Sequence, residues 1–293
     1  MRLIALNPPG GVSDTLARAI GEKLAERLGQ PFVIDNRVGA GGIIGSEIVA
    51  RAQPDGHTLL MGFIGNLAIN PGLYKKLPYD PIRDFAPVSL AGRSPLVVVA
   101  HRSLPVKSIR DLIALAKAQP GALNFSSSGS GNGTHLAAEL FRTMAGIKMT
   151  HVPYKGGPPA MTAVIAGEVS LTFSTAPPAI PQVKAGRVKA LAVTTERRIP
   201  TLPEVPTVAE SGFPDYVVTT WFGVVAPAAT PRQVVRKLNR EIVDILGDRA
   251  VLDRIATAGL IAAPSSPEQF ADLIKSETVR WAKVIKESGA KAD

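Results

Sequence analysis

The chain has 293 residues, 45% hydrophobic and 19% charged, a globular balance with room for one large domain or two smaller ones. Lys and Arg number 33 against 24 Asp and Glu, a formal net charge of +9, but the cations are scattered and no basic stripe is interleaved with aromatics, so no nucleic-acid partner is expected. Cysteine is absent, which excludes thiolate zinc sites, iron–sulfur ligation and thiol catalysis, and no apolar run reaches the roughly 18 residues that a membrane helix needs.

The opening MRLIALNPPGG reads as a strand (Arg2–Leu6) running into a loop, with no signal-peptide pattern, so the chain is either cytoplasmic or written without its leader. Leu16, Ile20, Leu24 and Leu28 recur at four-residue spacing and predict a helix over 13–28. A strand at Phe32–Ile34, a helix marked by Ile44, Ile48 and Val49, and a strand at Leu59–Met61 follow. After the PLVVVA run (95–100) the alternation restarts. It gives a helix at Ser108–Lys117 with a Ser108/Asp111 capping box, a strand at Asn124–Ser127, and a helix at Thr134–Met144 with Leu136, Leu140, Phe141 and Met144 on its apolar face. A strand ending near Pro153, a helix at Pro159–Ile165, and strands at Leu171–Ser174 and Ala190–Val193 complete this block. The proline-rich stretch after Thr195 fits no regular element. YVVTTWFGVVAP (216–227) reads as a long strand crossing back, and two helices, Pro231–Leu246 and Ser266–Glu287, finish the chain. Alternating strands and helices predict an α/β fold with mainly parallel sheets. The two crossings, near residue 100 and near Trp221, divide the chain into a discontinuous first domain, 1–100 plus 222–293, and a second, 101–221.

Four glycine-rich loops each enter a helix: NPPGGVSD (7–14), GAGGIIGS (39–46), SSSGSGNGTH (126–135) and YKGGPPAM (154–161). The first amides of a helix lack internal partners, the helix dipole is positive there, and glycine lets the backbone approach closely. Such loops bind phosphate or carboxylate without a cationic side chain. All four lie beyond strand C-termini, where ligands of open α/β sheets sit. Neither GAGGIIGS nor GSGNG keeps the dinucleotide spacing G-x-G-x-x-G, and no phosphate-loop lysine motif occurs.

Catalytic groups are thin. His57, His101, His135 and His151 are isolated, no metal-ligand spacing exists, and there is no G-x-S-x-G elbow. His135 falls in the first turn of a helix, in or beside a binding wall. Asp14 either serves the dipole of the first helix or accepts from a ligand donor. Lys155 reads as a solvated lysine or a cationic contact to a ligand, and Phe63, just past a strand end, is a candidate cleft wall.

The segments PPGGVSD, VIDNRVGAGGIIGSEIVARAQPDGHTLLMG, GSGNGTHLAAELF, HVPYKGG, VKAGRVKALAVT, LPEVPTVAESGFP and WFGVVAPAATP resemble the solute-binding receptors of tripartite tricarboxylate transporters, also called Bug receptors, from about residue 2 onward. The resemblance implies a monomeric periplasmic protein with a type II-like binding-protein fold, two α/β domains around a cleft. It implies a small organic acid as ligand, no cofactor, no catalysis, and as partners the membrane subunits of a carboxylate transporter or a sensor protein. Carried onto this chain, it places Pro9, Gly10, Gly11 and Gly41 of the first domain at the ligand. Ser127, Ser128, Gly129, Thr134, Gly156, Gly157, Ser174 and Thr175 face them from the second, with Asp14, Phe63 and His135 as the further candidates read above. Asn7 stands where the family often has an aromatic or apolar residue. The alternatives are a nucleotide-dependent enzyme of doubly wound α/β fold and the effector module of a regulator, which would need a helix-turn-helix segment ahead of residue 1.

Overall fold

The structure, a computed structural model, describes residues 1–288. In chain order the first half holds β1 (Arg2–Ala5), α1 (Val12–Leu28), β2 (Val33–Asn36), α2 (Ile43–Ala50), β3 (Thr58–Phe63), α3 (Asn70–Leu73) and β4 (Phe85–His101). Next come α4 (Ile109–Ala118), β5 (Asn124–Ser127), α5 (Gly133–Ala145), β6 (Thr150–Pro153), α6 (Gly157–Ala166), β7 (Leu171–Thr175), α7 (Ala176–Lys184) and β8 (Val188–Val193). The chain ends with β9 (Thr219–Pro227), α8 (Arg232–Gly247), α9 (Arg249–Thr257), β10 (Ile261–Ala262) and α10 (Pro267–Ser288). The predicted stripe of α1 is buried at Leu16, Ile20 and Leu24, and Gly29 ends the helix in the left-handed region. The Ser266/Gln269 capping box forms with both reciprocal bonds, at 3.1 and 3.0 Å. At α4 the Ser108 hydroxyl accepts from Asp111, while the Asp111 carboxylate accepts from Lys107 instead of Ser108.

The strands lie in the order β2–β1–β3–β9–β4–β7–β5–β6, with β8 and β10 also on β4. The expected parallel pairing holds in the outer trios, β2–β1–β3 and β7–β5–β6. The centre is antiparallel: residues 85–95 of β4 pair with β9, and residues 96–101 pair with β7 and β8. The chain thus forms two α/β lobes joined through β4 and β9. Their cores are separate. One buried cluster draws on residues 3–91 and 221–285 with Leu136 added, and two others draw on residues 96–218.

Several expectations are corrected. Strand β4 extends ten residues ahead of PLVVVA, because register shifts at Pro87/Ser89 and Leu90/Gly92 accommodate Pro87 and Gly92. Helix α7 was not expected in APPAIPQVK. Pro177 and Pro178 occupy its first turn, where no N–H is required, and only Pro181 lies inside. Three helices follow β9 instead of two, since Asp248 caps α9 by accepting from Ala250 and Val251. On α5 the buried stripe is Leu136, Ala137 and Phe141, while Met144 is 38% exposed. Residues 289–293 of the expected first domain lie outside the described residues.

Candidate functional site

Parallel register puts the C-terminal ends of β1 and β2 side by side in one lobe and those of β5 and β6 side by side in the other. The four glycine-rich loops leave from these ends, and the two lobes bring them face to face. A Cβ built on Gly156 would stand 2.7 Å from Pro8 Cγ, and one on Gly131 would overlap Leu73, so both pairs touch across the gap.

Two adjoining hollows lie between the loops. The outer one, about 200 Å³, is lined by Gly39–Gly42, Phe63 and Tyr74 from one lobe and by Ser128–Ser130 and Tyr154–Gly156 from the other. The inner one, about 20 Å³, shares Asn7, Phe63, Ser128 and Asn132 with it. That volume holds one water or one ligand oxygen. Around it stand Gly11 and Val12 at the start of α1, Gly133 and Thr134 at the start of α5, Gly157 at the start of α6, and Thr175, the N-cap of α7. Four helix N-termini therefore converge on one small void. Each helix adds about half a positive charge at this end, and first-turn amides have no intrahelical acceptor, although α7 contributes only its dipole: the Ala176 amide donates to Ser94 Oγ at 3.2 Å, and Pro177 and Pro178 have no N–H. Among the described residues no Asp or Glu lines either hollow, and Lys155 on the outer rim is the one cation. The arrangement favours an anion and offers no nucleophile–base pair facing the void.

A lattice of side-chain bonds shapes the second lobe's loop. Asn132 caps α5, its Oδ1 accepting from the amides of Thr134 (3.1 Å) and His135 (3.3 Å), and its Nδ2 donates to Ser128 Oγ at 2.7 Å. The Ser128 amide donates to Thr134 Oγ1 at 2.9 Å. Beneath the loop, Gly131 donates to His135 Nδ1 at 3.0 Å. The His135 ring stacks on His151 with centroids 3.8 Å apart, and His151 Nε2 lies 2.7 Å from Ser127 Oγ. In the first lobe Asn70 Nδ2 donates to the Gly41 carbonyl (3.1 Å) and to the Tyr79 hydroxyl (3.2 Å), which itself donates to Asn66 O at 2.7 Å. Burial pushes the Tyr79 phenol up to about 12, so it stays a donor.

The structure brings Gly11, Gly41, Phe63, Ser128, Gly129, Thr134, Gly156, Gly157 and Thr175 to the walls of the hollows. It does not bring the others there. Pro9 has no N–H and is exposed, and the exposed Gly10 donates its amide to Asp14 Oδ2 at 3.0 Å. Asp14 is buried; its Oδ1 accepts from Arg18 (2.9 Å) and Asn36 (3.0 Å). Burial works to raise its pKa, but the bonds from Arg18, Gly10 and Asn36 prevail and hold it below the ordinary value. Of the two readings for Asp14, the geometry gives the role inside the first helix turn. Ser127 and His135 lie in the layer under the loop, and Ser174 Oγ is turned to the Thr175 carbonyl. Sequence reasoning missed Tyr74, Tyr154, Asn132, Thr220 and Phe222. Asn132 was findable, since Asn before Gly-Thr-His is an N-cap signal. Phe222, which stacks on Phe63 at 6.0 Å, and Thr220 carried none, because only the return of β9 places them in the floor.

Residues 16–290 match the model of the tripartite tricarboxylate transporter family receptor. Protein BugT of Bordetella pertussis is 37% identical over 292 residues, covering 99% of this chain and 90% of the relative. Among solved structures, Rpa4515 of R. palustris with adipate superposes with a TM-score of 0.97 at 38% identity, covering 100% of this chain and 98% of that one. MatC of Rhodopseudomonas palustris with bound malate superposes with a TM-score of 0.92 at 33% identity, covering 97% and 98%.

Proposed function

The chain belongs to the tripartite tricarboxylate transporter receptor family, whose members are periplasmic solute-binding receptors, and we propose that it captures one small organic acid by closing its lobes on a carboxylate. The observation that carries this reading is the convergence of the α1, α5, α6 and α7 N-termini on a void with no acidic lining. One carboxylate oxygen, or a water bridging to it, occupies the inner hollow and accepts from main-chain amides. The rest of the ligand fills the outer hollow against Phe63, Tyr74 and Tyr154, with any second acidic group near Lys155. A hollow of about 200 Å³ falls below the range of drug-sized pockets and suits a compact acid. The adipate and malate in the two neighbours belong to that class.

Because both lobes line the hollow, the ligand favours the closed form by the contacts it makes only there. The lobes divide where β4 and β9 change partners, near Pro95 and Thr219. The closed complex then delivers its acid to the membrane subunits of a carboxylate transporter or to a sensor protein.

The test is a thermal-shift screen against aliphatic and aromatic acids, followed by calorimetry on the hits. Stabilisation should grow with the logarithm of ligand concentration above the Kd. Gly129→Val places a side chain on the outer wall at φ +139°, against Asn132, and should abolish the shift while the protein stays folded. A folded variant with unchanged affinity, or a screen in which no acid stabilises the wild type, refutes the proposal.

A further inference from the structure

A second cavity, about 670 Å³, lies away from the carboxylate hollows and also takes its walls from both lobes. Lys184 and Ile199–Thr201 come from one lobe, Arg249, Leu252 and Ile261 from the other, with Pro95 between them. Strand geometry says which side this is. Ser94 pairs with Thr220, so the two share a face, and Thr220 lines the inner carboxylate hollow. Pro95, next in the strand, points to the other face. The larger cavity therefore sits behind the β4–β9 crossing. A pivot at that crossing that opens the front cleft narrows the rear cavity, and closing the cleft widens it. In the present form the lobes also touch at the rear, where a Cβ on Gly259 would meet Ala176 Cβ at 2.9 Å.

The rear walls are apolar, and Ile261 is left 51% exposed. The charged groups are few: Lys184, Arg249 and Asp253. Arg249 shares its charge with Asp253 at 3.1 Å, whereas Lys184 has no acidic partner among the described residues. An apolar chamber with the Lys184 ammonium on its rim matches a ligand with a long apolar body and a single anionic head.

We infer that the rear cavity binds an amphipathic monocarboxylic acid, and that its occupancy holds the lobes closed and so tightens the grip on the front ligand. The coupling rests on the lobe-closure reading above; the binding itself does not. Linkage makes the effect reciprocal: each ligand raises the affinity of the other by the same factor.

Decanoate is the rear probe and adipate the front probe, both titrated by calorimetry into the full chain. Decanoate should bind one to one and more tightly than hexanoate, by up to about fourfold per additional buried methylene. Leu252→Trp, which fills the cavity, and Lys184→Glu, which reverses its rim charge, should each weaken decanoate at least tenfold, and Lys184→Glu should leave adipate affinity unchanged in the absence of decanoate. Saturating decanoate should tighten adipate about fivefold or more. No saturable binding, binding that both variants retain, or direct competition with adipate overturns the site. Rear binding that leaves adipate affinity unmoved overturns the coupling. Should adipate and the other acids fail to bind, the front-site reading falls alone. Small-angle scattering then decides the coupling: decanoate must reduce the radius of gyration, and an unchanged radius refutes it.

Discussion

Gly156→Ala tests whether closure, and not merely the presence of the loops, makes the carboxylate site. Gly156 sits at φ +117° and ψ 170°, a region open essentially to glycine alone, so any side chain there strains the backbone by about 1–3 kcal/mol in open and closed forms alike. The added Cβ would also stand 2.7 Å from Pro8 Cγ, roughly 1 Å inside ordinary contact, and Pro8 belongs to the opposite lobe. That overlap exists only when the lobes meet. Overpacking of this kind costs about 1–3 kcal/mol. Charged to the closed form alone, it weakens ligand binding by about 5- to 150-fold. Gly10→Ala is the matched control: φ is +81°, but a Cβ there has nothing within 4 Å, so it carries backbone strain without the collision. Calorimetry with the best acid from the screen, beside thermal melts of the free proteins, separates the two effects. Both variants should melt lower, and only Gly156→Ala should lose affinity. Equal affinity in wild type and Gly156→Ala, or equal losses in both variants, would refute the assignment of the Pro8–Gly156 contact to closure.

Asn132→Ala removes the α5 cap and the bond to Ser128 together; stability should fall by about 0.5–2 kcal/mol in urea titrations, and calorimetry should show a weaker ligand. Asp14→Asn should lower stability by about 1 kcal/mol at neutral pH with little change in Kd, because the carboxylate serves Arg18, Gly10 and Asn36. The folded-state pKa of Asp14 is depressed, so its contribution is present above the ordinary carboxylate value of about 3.9 and fades as pH falls through the lower folded value. Urea midpoints of wild type and variant should accordingly differ from pH 5 to 8 and converge in acid. Tyr79→Phe strips a donor from the Asn66 carbonyl and loosens Asn70 under Gly41, costing about 1 kcal/mol; burial raises both Tyr79 and Tyr216, so ultraviolet titration of the variant should show one late-ionising tyrosine fewer than the wild type.

The local rules carried much of this protein. Four-residue apolar spacing settled α1, and Ser266 with Gln269 settled the start of α10. Runs of glycine after short apolar strands marked the loops that line the hollows. Local rules failed where a distant strand supplied the compensation. Pro87 and Gly92 look like breakers until β9 pairs with β4 and bulges take up the slack. Met144 fits the helix period of α5 yet points to water, because the second lobe's core lies on the Ala137–Phe141 side.

The sequence by itself determined the ingredients of an anion site: helix starts preceded by glycine-rich residues that let the backbone come close. Only the tertiary structure decided which donors remain available. The Gly10 amide is spent on Asp14 and the Ala176 amide on Ser94, while the starts of α1, α5, α6 and α7 meet around one void. The reason is physical. Whether an amide is already paired depends on local bonds, but whether four helix ends share a focus depends on the register of two parallel sheets and on two strands that cross between them, and no neighbouring residues encode that distance.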